Sequence, residues 1–319
     1  MSMASPRPDL VYKYRAFSNL SLEMLVEDTL FFADPSTFND PLDAKPRLEA
    51  DLATPALEAV LETLMVKRVE AELSAAAKII HYQGPKTINH ISRRSQSAFA
   101  NRLADIRYNA TDRDNEMSDP LSYSLERHIE TEVLRRYDKG IVSLAQRPDC
   151  PLMWSHYGDQ HRGFCVGYAP GDIANLHKVK YGGSPILKAS LVQAMLNGGD
   201  RAQTRVDAAV LLRKAKDWAY EREWRLIGQR GSHDSPFEMT EVVFGLRCPT
   251  AVQFTIVRAL TGRSQDVAFF EILPRPGTFE LIKSRLDVDD LCRSRPRRAA
   301  DYDFDDVFDE VADEPPGPA

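Results

Sequence analysis

The chain of 319 residues is 43% hydrophobic and carries a formal net charge of −6. That length and apolar content suffice for one large core or two ordinary ones, and no run of about 18 apolar residues marks a membrane span. Eight acids and no base lie between Asp301 and Glu314, so the rest carries about +2, too little to argue for a nucleic-acid surface. Met1 to Pro8 lacks the apolar stretch of a secretory leader, and Cys150, Cys165, Cys248 and Cys292 are few and scattered. Both features fit a reduced, cytoplasmic setting with no membrane partner.

Leu10 to Arg15 alternates as a strand, with Tyr12 and Tyr14 on one face and Lys13 and Arg15 on the other. Ser18 or Asn19 caps a short helix carrying Leu22, Leu25 and Val26. Thr29 to Ala33 reads as a second strand, and Asp34-Pro35 and Asn39-Asp40-Pro41 punctuate the loop after it. From Thr54 to Tyr137 the character is helical, with Leu57, Val60, Leu61 and Leu64 at a 3.6-residue period. Arg93, Arg94, Arg102 and Arg107 make part of it basic, either as a solvated face or as a partner surface. Strands follow at 140–145, 163–168, 241–245, 267–273 and 278–282, with helices at 205–217 and near 250–260. Beyond Arg285 the pattern dissolves. Residues 286–319 read as an acidic, disordered tail, whose apolar residues alternate with acids as in segments that fold on a basic partner.

The densest stretch is Trp218-Ala-Tyr-Glu-Arg-Glu-Trp-Arg-Leu-Ile227. As a strand it places Glu221 and Glu223 side by side, whereas on a helix they would diverge by roughly 200°. Paired acids on an aromatic-backed strand suit acid/base work. The plainer alternative is a wet strand face with Arg225 as counter-ion.

Two metal patterns were weighed. Cys150, His156, His161 and Cys165 lack the tight ligand pairs of structural zinc sites. Asp34, Asp40 and Asp43 match a carboxylate cluster as well as a proline-stiffened loop with Asx turns. A metal-dependent nuclease or hydrolase would use Asp40, Asp43 and His156. Trp154 and Tyr157 either bury one face of a short helix or offer a stacking platform.

Tyr12-Lys-Tyr-Arg15, Phe38-Asn-Asp-Pro41, Val142-Ser-Leu144, Met153-Trp-Ser-His-Tyr157, Gly163-Phe-Cys165 and Trp218-x-Tyr-Glu-x-Glu-Trp-Arg225 together resemble the bacterial domain-of-unknown-function 2971 family. That resemblance runs from about residue 10 to about 285. Arg15, Ser143 and Glu221-x-Glu223, in that order on expected strands, also resemble mono-ADP-ribosyltransferases of the Arg–Ser–Glu type. Val142-Ser-Leu144 departs from the Ser-Thr-Ser pattern usual in that class.

The resemblance implies one α+β domain over residues 9–285, with a mainly antiparallel split sheet and a large helical insertion at about 54–137. It implies cleavage of NAD, as substrate, with transfer of ADP-ribose to a macromolecular acceptor, protein or nucleic acid, in a toxin or phage-defence setting. Glu223 would stabilise the oxocarbenium-like centre, and Glu221 would orient or deprotonate the acceptor. Arg15 would bind a phosphate or ribose, Ser143 would brace Glu223, and Trp154 or Tyr157 would stack on nicotinamide. No metal is expected. A non-catalytic binding module is the remaining reading.

Overall fold

The computed structural model describes residues 7–81, 87–112, 117–173 and 175–297. The chain opens with β1 (Val11–Arg15), α1 (Asn19–Val26), β2 (Thr29–Phe32) and β3 (Arg47–Glu49). Three long helices follow, α2 (Thr54–Ile79), α3 (Thr87–Ala110) and α4 (Pro120–Arg136). Next come β4 (Gly140–Ala145), α5 (Pro151–Tyr157), β5 (Phe164–Ala169), β6 (Leu176–Lys178), β7 (Lys180–Tyr181) and β8 (Ile186–Lys188). The C-terminal part holds α6 (Ala189–Leu196), α7 (Asp200–Leu211), β9 (Arg213–Lys214), β10 (Glu223–Gly228), β11 (Gly231–Asp234), β12 (Glu238–Phe244), α8 (Thr250–Leu260), β13 (Ala268–Pro274), β14 (Leu281–Arg285) and α9 (Val288–Arg293).

Local chemistry starts these helices. Ser18 caps α1 in a reciprocal capping box with Ser21. Asp119 accepts from Ser122 N–H at the head of α4, just before Pro120. In α2 the buried Leu57, Val60, Leu61, Leu64 and Met65 form one stripe. That stripe packs with α3, α4, α6 and α7 into a helical core.

Among the described residues, eight strands form one mostly antiparallel sheet, in the order β14-β13-β12-β5-β1-β4-β10-β6. β12 and β13 run parallel and are joined through α8. One sheet face carries Val11, Val142, Leu144, Phe164, Val166, Trp224, Leu226 and Phe244, which pack against α1, α8 and α9. The other carries Tyr12, Tyr14, Ala145 and Cys165, beneath Met153 and Trp154 of α5.

The expected split is narrower than a division into two sheets, because β1 hydrogen-bonds on both of its sides. β1 matches β5 at five positions but meets β4 at Tyr12↔Ala145 alone. Farther along, β4 is held instead by a two-way bridge between Ile141 and Ala33. Between these two attachments the sheet is open.

Several expected boundaries move. The helix expected at 205–217 starts at Asp200 and ends at Leu211, so Lys214 lies in β9. The order also continues past Arg285. Asp287 caps α9, and Leu291 is buried against the sheet. Val288, Leu291 and Cys292 supply the apolar face that the surrounding acids obscure in the sequence. Residues 298–319, with the acidic tail's charge, lie outside the described residues. No described helix is long and apolar enough to cross a membrane.

Candidate functional site

The opening between β1 and β4 is a cavity of about 330 Å³, at the small end of the range for ligand pockets. Its apolar walls include Tyr12, Tyr14, Phe31, Phe38 and Met153. Its polar lining includes Lys13, Arg15, Asn39, Asp43, Ser143, Tyr157, Lys214, Glu221 and Glu223.

The two glutamates do not share a strand. Lys216–Glu221 is a 3-10 helix, and Arg222 follows in the left-handed region at φ 46°. Only then does β10 begin, so alternation cannot relate Glu221 to Glu223. The left-handed step at Arg222 does so instead. It turns the chain so that both carboxylates face one cluster while Arg222 itself stays exposed.

That cluster is dry. Glu221 is 4%, Glu223 2% and Arg225 0% exposed. The wet strand face is therefore replaced by a buried ion network. Arg225 spans Asp43 through Nη2 at 2.7 Å to both oxygens, and its Nε donates to Glu223 Oε1 at 2.9 Å. Its Nη1 donates to the Leu211 carbonyl at 2.7 Å. Lys214 Nζ lies 2.6 Å from Glu221 Oε2, 3.1 Å from Glu223 Oε2 and 3.4 Å from Asp43 Oδ2. The Tyr157 hydroxyl donates to Glu221 Oε1 at 2.9 Å and accepts from Asn39 Nδ2 at 3.1 Å.

Asp43, Glu221 and Glu223 thus face Lys214 and Arg225, and Lys13 and Arg15 add two further cations to the cavity wall. Burial pushes Glu223 up, but Arg225 and Lys214 outweigh it and, with a hydrogen bond from Ser143, hold its carboxyl at about 2. Burial raises Glu221, with Lys214 pulling it down and Glu223 pushing it up. Glu221 is thus shifted in the opposite direction from Glu223.

Arg15 enters from another direction. By alternation along β1 it leaves on the Val11 side of the sheet, toward Tyr168, whereas Glu223 leaves β10 on the opposite side. Both still line the cavity. Gly163 lets the chain pass close to the end of β1, since a Cβ there would sit 2.1 Å from the Arg15 carbonyl oxygen.

Of the expected residues, Arg15, Ser143, Tyr157, Glu221 and Glu223 converge in this cavity. Trp154 does not. It is 0% exposed, packed edge-on to Tyr14, and its Nε1 donates to the Pro148 carbonyl at 2.7 Å. It is a core residue with no face left for stacking.

Asp40 Oδ2 accepts from Trp218 Nε1, and Asp43 is spanned by Arg225. Those two carboxylates are committed to the fold, and the ring of His156 lies among Tyr157, Trp218 and Tyr220. Cys165 is buried within β5, and His161 stacks on Trp154.

Sequence reasoning missed Lys13, Lys214 and the role of Asp43. The Asp40-Pro-x-Asp43 turn was the available signal for Asp43. Lys214 was hidden by the overlong helix.

Residues 153–226 match the model of a family described as protein of unknown function (DUF2971). Over that segment the chain is similar to the DUF2971 family. No curated protein and no solved structure matches the chain. The DUF2971 segment runs from α5 through β10 and contributes Tyr157, Lys214, Glu221, Glu223 and Arg225 to the site. β1, the Asp43 loop and β4 complete the site from outside it.

Proposed function

We propose that the cavity cleaves the nicotinamide–ribose bond of NAD and passes ADP-ribose to a macromolecular acceptor, or to water. The observation that carries this reading is the convergence of Arg15, Ser143 and Glu221-x-Glu223, 208 residues apart from first to last, at one opening in the sheet. The Arg–Ser–Glu order and an opening at the seam of an antiparallel sheet are what an ADP-ribosyltransferase-like site requires. A carboxylate on the cavity wall favours the positive charge that develops on ribose as the bond breaks.

Within this reading the two glutamates divide the work by their surroundings. Glu223 is already neutralised by Arg225 and Lys214, so it anchors the network. Glu221, held by Tyr157 and lining the cavity, faces the reacting sugar and the acceptor. Tyr157 replaces Trp154 as the aromatic wall, and Arg15 meets the phosphates.

The test is incubation of the purified chain with adenylate-labelled NAD and a bacterial lysate. Nicotinamide release, with label on protein, RNA or DNA or as free ADP-ribose, is the expected result. No nicotinamide release and no thermal shift at saturating NAD would overturn the reading.

A further inference from the structure

We propose that Lys13 is a carbonyl-reactive amine which captures small anionic aldehydes or ketones in the cavity as imines. The inference stands apart from the NAD reading and uses a group that reading leaves idle.

The geometry singles out this lysine. Lys13 lines the cavity, is half-buried, and donates to the Ser143 carbonyl at 2.9 Å across the opening between β1 and β4. Among the described residues no ion pair holds it, because Asp43, Glu221 and Glu223 are engaged by Lys214 and Arg225. Its neighbour on the same side of β1 is Arg15, a second cation that no described carboxylate pairs, positioned to hold an anionic group. Burial and Arg15 draw the Lys13 ammonium down to about 8, against the opposing pull of Glu223 and Glu221 across the seam. Lys214, Asp43, Tyr12, Tyr14 and Tyr157 are the other titratable groups around the cavity. Near neutral pH a sizeable fraction of the amine is uncharged, as imine-forming lysines require.

The chemistry is balanced. The Nζ lone pair bonds to the carbonyl carbon, and the oxygen takes a proton. The carbinolamine hydroxyl then leaves as water as the nitrogen pair closes the C=N bond. Tyr157 and Glu221, on the same cavity, supply and accept the proton. No oxidant or reductant is consumed.

The experiment treats the intact chain with pyridoxal 5′-phosphate and cyanoborohydride, which reduces any imine to a stable secondary amine, and maps the modified lysines by peptide mass. Lys13 should react about tenfold or more faster at pH 8 than the exposed Lys45, Lys139, Lys180 and Lys216, a conservative share of the difference in neutral fraction. The rate should level off above about pH 8 for Lys13 and keep rising for the others. Lys13→Arg should abolish this adduct alone. Arg15→Gln should slow pyridoxal phosphate more than acetaldehyde, because both reactions lose the downward pull of Arg15 on the Lys13 ammonium but only pyridoxal phosphate loses an anion partner. Labelling of Lys13 no faster than the exposed lysines, or without a bend near pH 8, would overturn the proposal in the wild-type protein itself, whatever the variants do.

Discussion

At the scale of single residues, the molecule turns on how Glu221 and Glu223 differ. Glu223 is paired by Arg225 and Lys214 in a dry site. Glu223→Gln leaves Arg225 with Asp43 and Lys214 with Glu221, so it should cost about 1.5–3 kcal/mol, the range for a lost charge-assisted hydrogen bond, read as a fall in melting temperature. Glu221→Gln keeps a partner for Tyr157 and should cost less stability, yet lower NAD turnover by about 10²–10³ if it acts at the sugar. Equal turnover in wild type and Glu221→Gln would assign Glu221 to the fold alone.

The pH dependence follows in sign. The carboxyl of Glu223 titrates near 2 in the folded chain, against an ordinary value of 4.5. Its contribution is therefore present above about pH 4.5 and lost as pH falls toward 2. The stability gap between wild type and Glu223→Gln, measured by denaturant titration at each pH, should narrow over that window. A gap constant from pH 6 to pH 2.5 would contradict it.

At the scale of elements, period and caps were readable and backbone reversals were not. The leucine stripe of α2, the alternation of β1 and the Ser18 cap all follow from residue type and spacing. Trp218 to Ile227 misleads because its aromatics and charges alternate, yet one residue in the left-handed region divides it into a 3-10 helix and a strand. Nothing in the type of Arg222 announces that conformation, which costs a non-glycine residue about 1–2 kcal/mol. Arg222→Gly should therefore be neutral or raise the melting temperature, while the β-branched Arg222→Val should lower stability by about 1–2 kcal/mol. A destabilised Arg222→Gly would mean that the exposed side chain carries a contact of its own. The site was legible as a set of residue types, since five of the six residues expected to form it meet. Its burial was not, because Asp43 comes from a loop distant in sequence and Lys214 from β9, a strand the expected helix had covered.

At the scale of the whole molecule, two large cores flank the smaller one under α5, and the cavity opens mid-sheet between β1 and β4. The helical segment between β3 and β4 builds one, and the sheet with α1, α8 and α9 builds the other. α9 belongs to the second. A chain cut after residue 285 should lose several degrees of melting temperature with the buried Leu291, in keeping with the about 2–5 kcal/mol that losing a buried leucine side chain costs. A chain cut after residue 297 should melt like the full one. Equal melting of both truncations would show that α9 adds nothing.

The single match between β1 and β4 has a mechanical meaning. Among the described residues, the strand groups β14-β13-β12-β5-β1 and β4-β10-β6 are paired through Tyr12 and Ala145 alone. A guest in the opening would act as a rivet, touching Lys13 and Arg15 on one side and Ser143, Glu221 and Glu223 on the other. Occupancy should then be felt far from the guest, as slower amide exchange along both β1 and β4 and as sharper, more cooperative melting of the entire sheet.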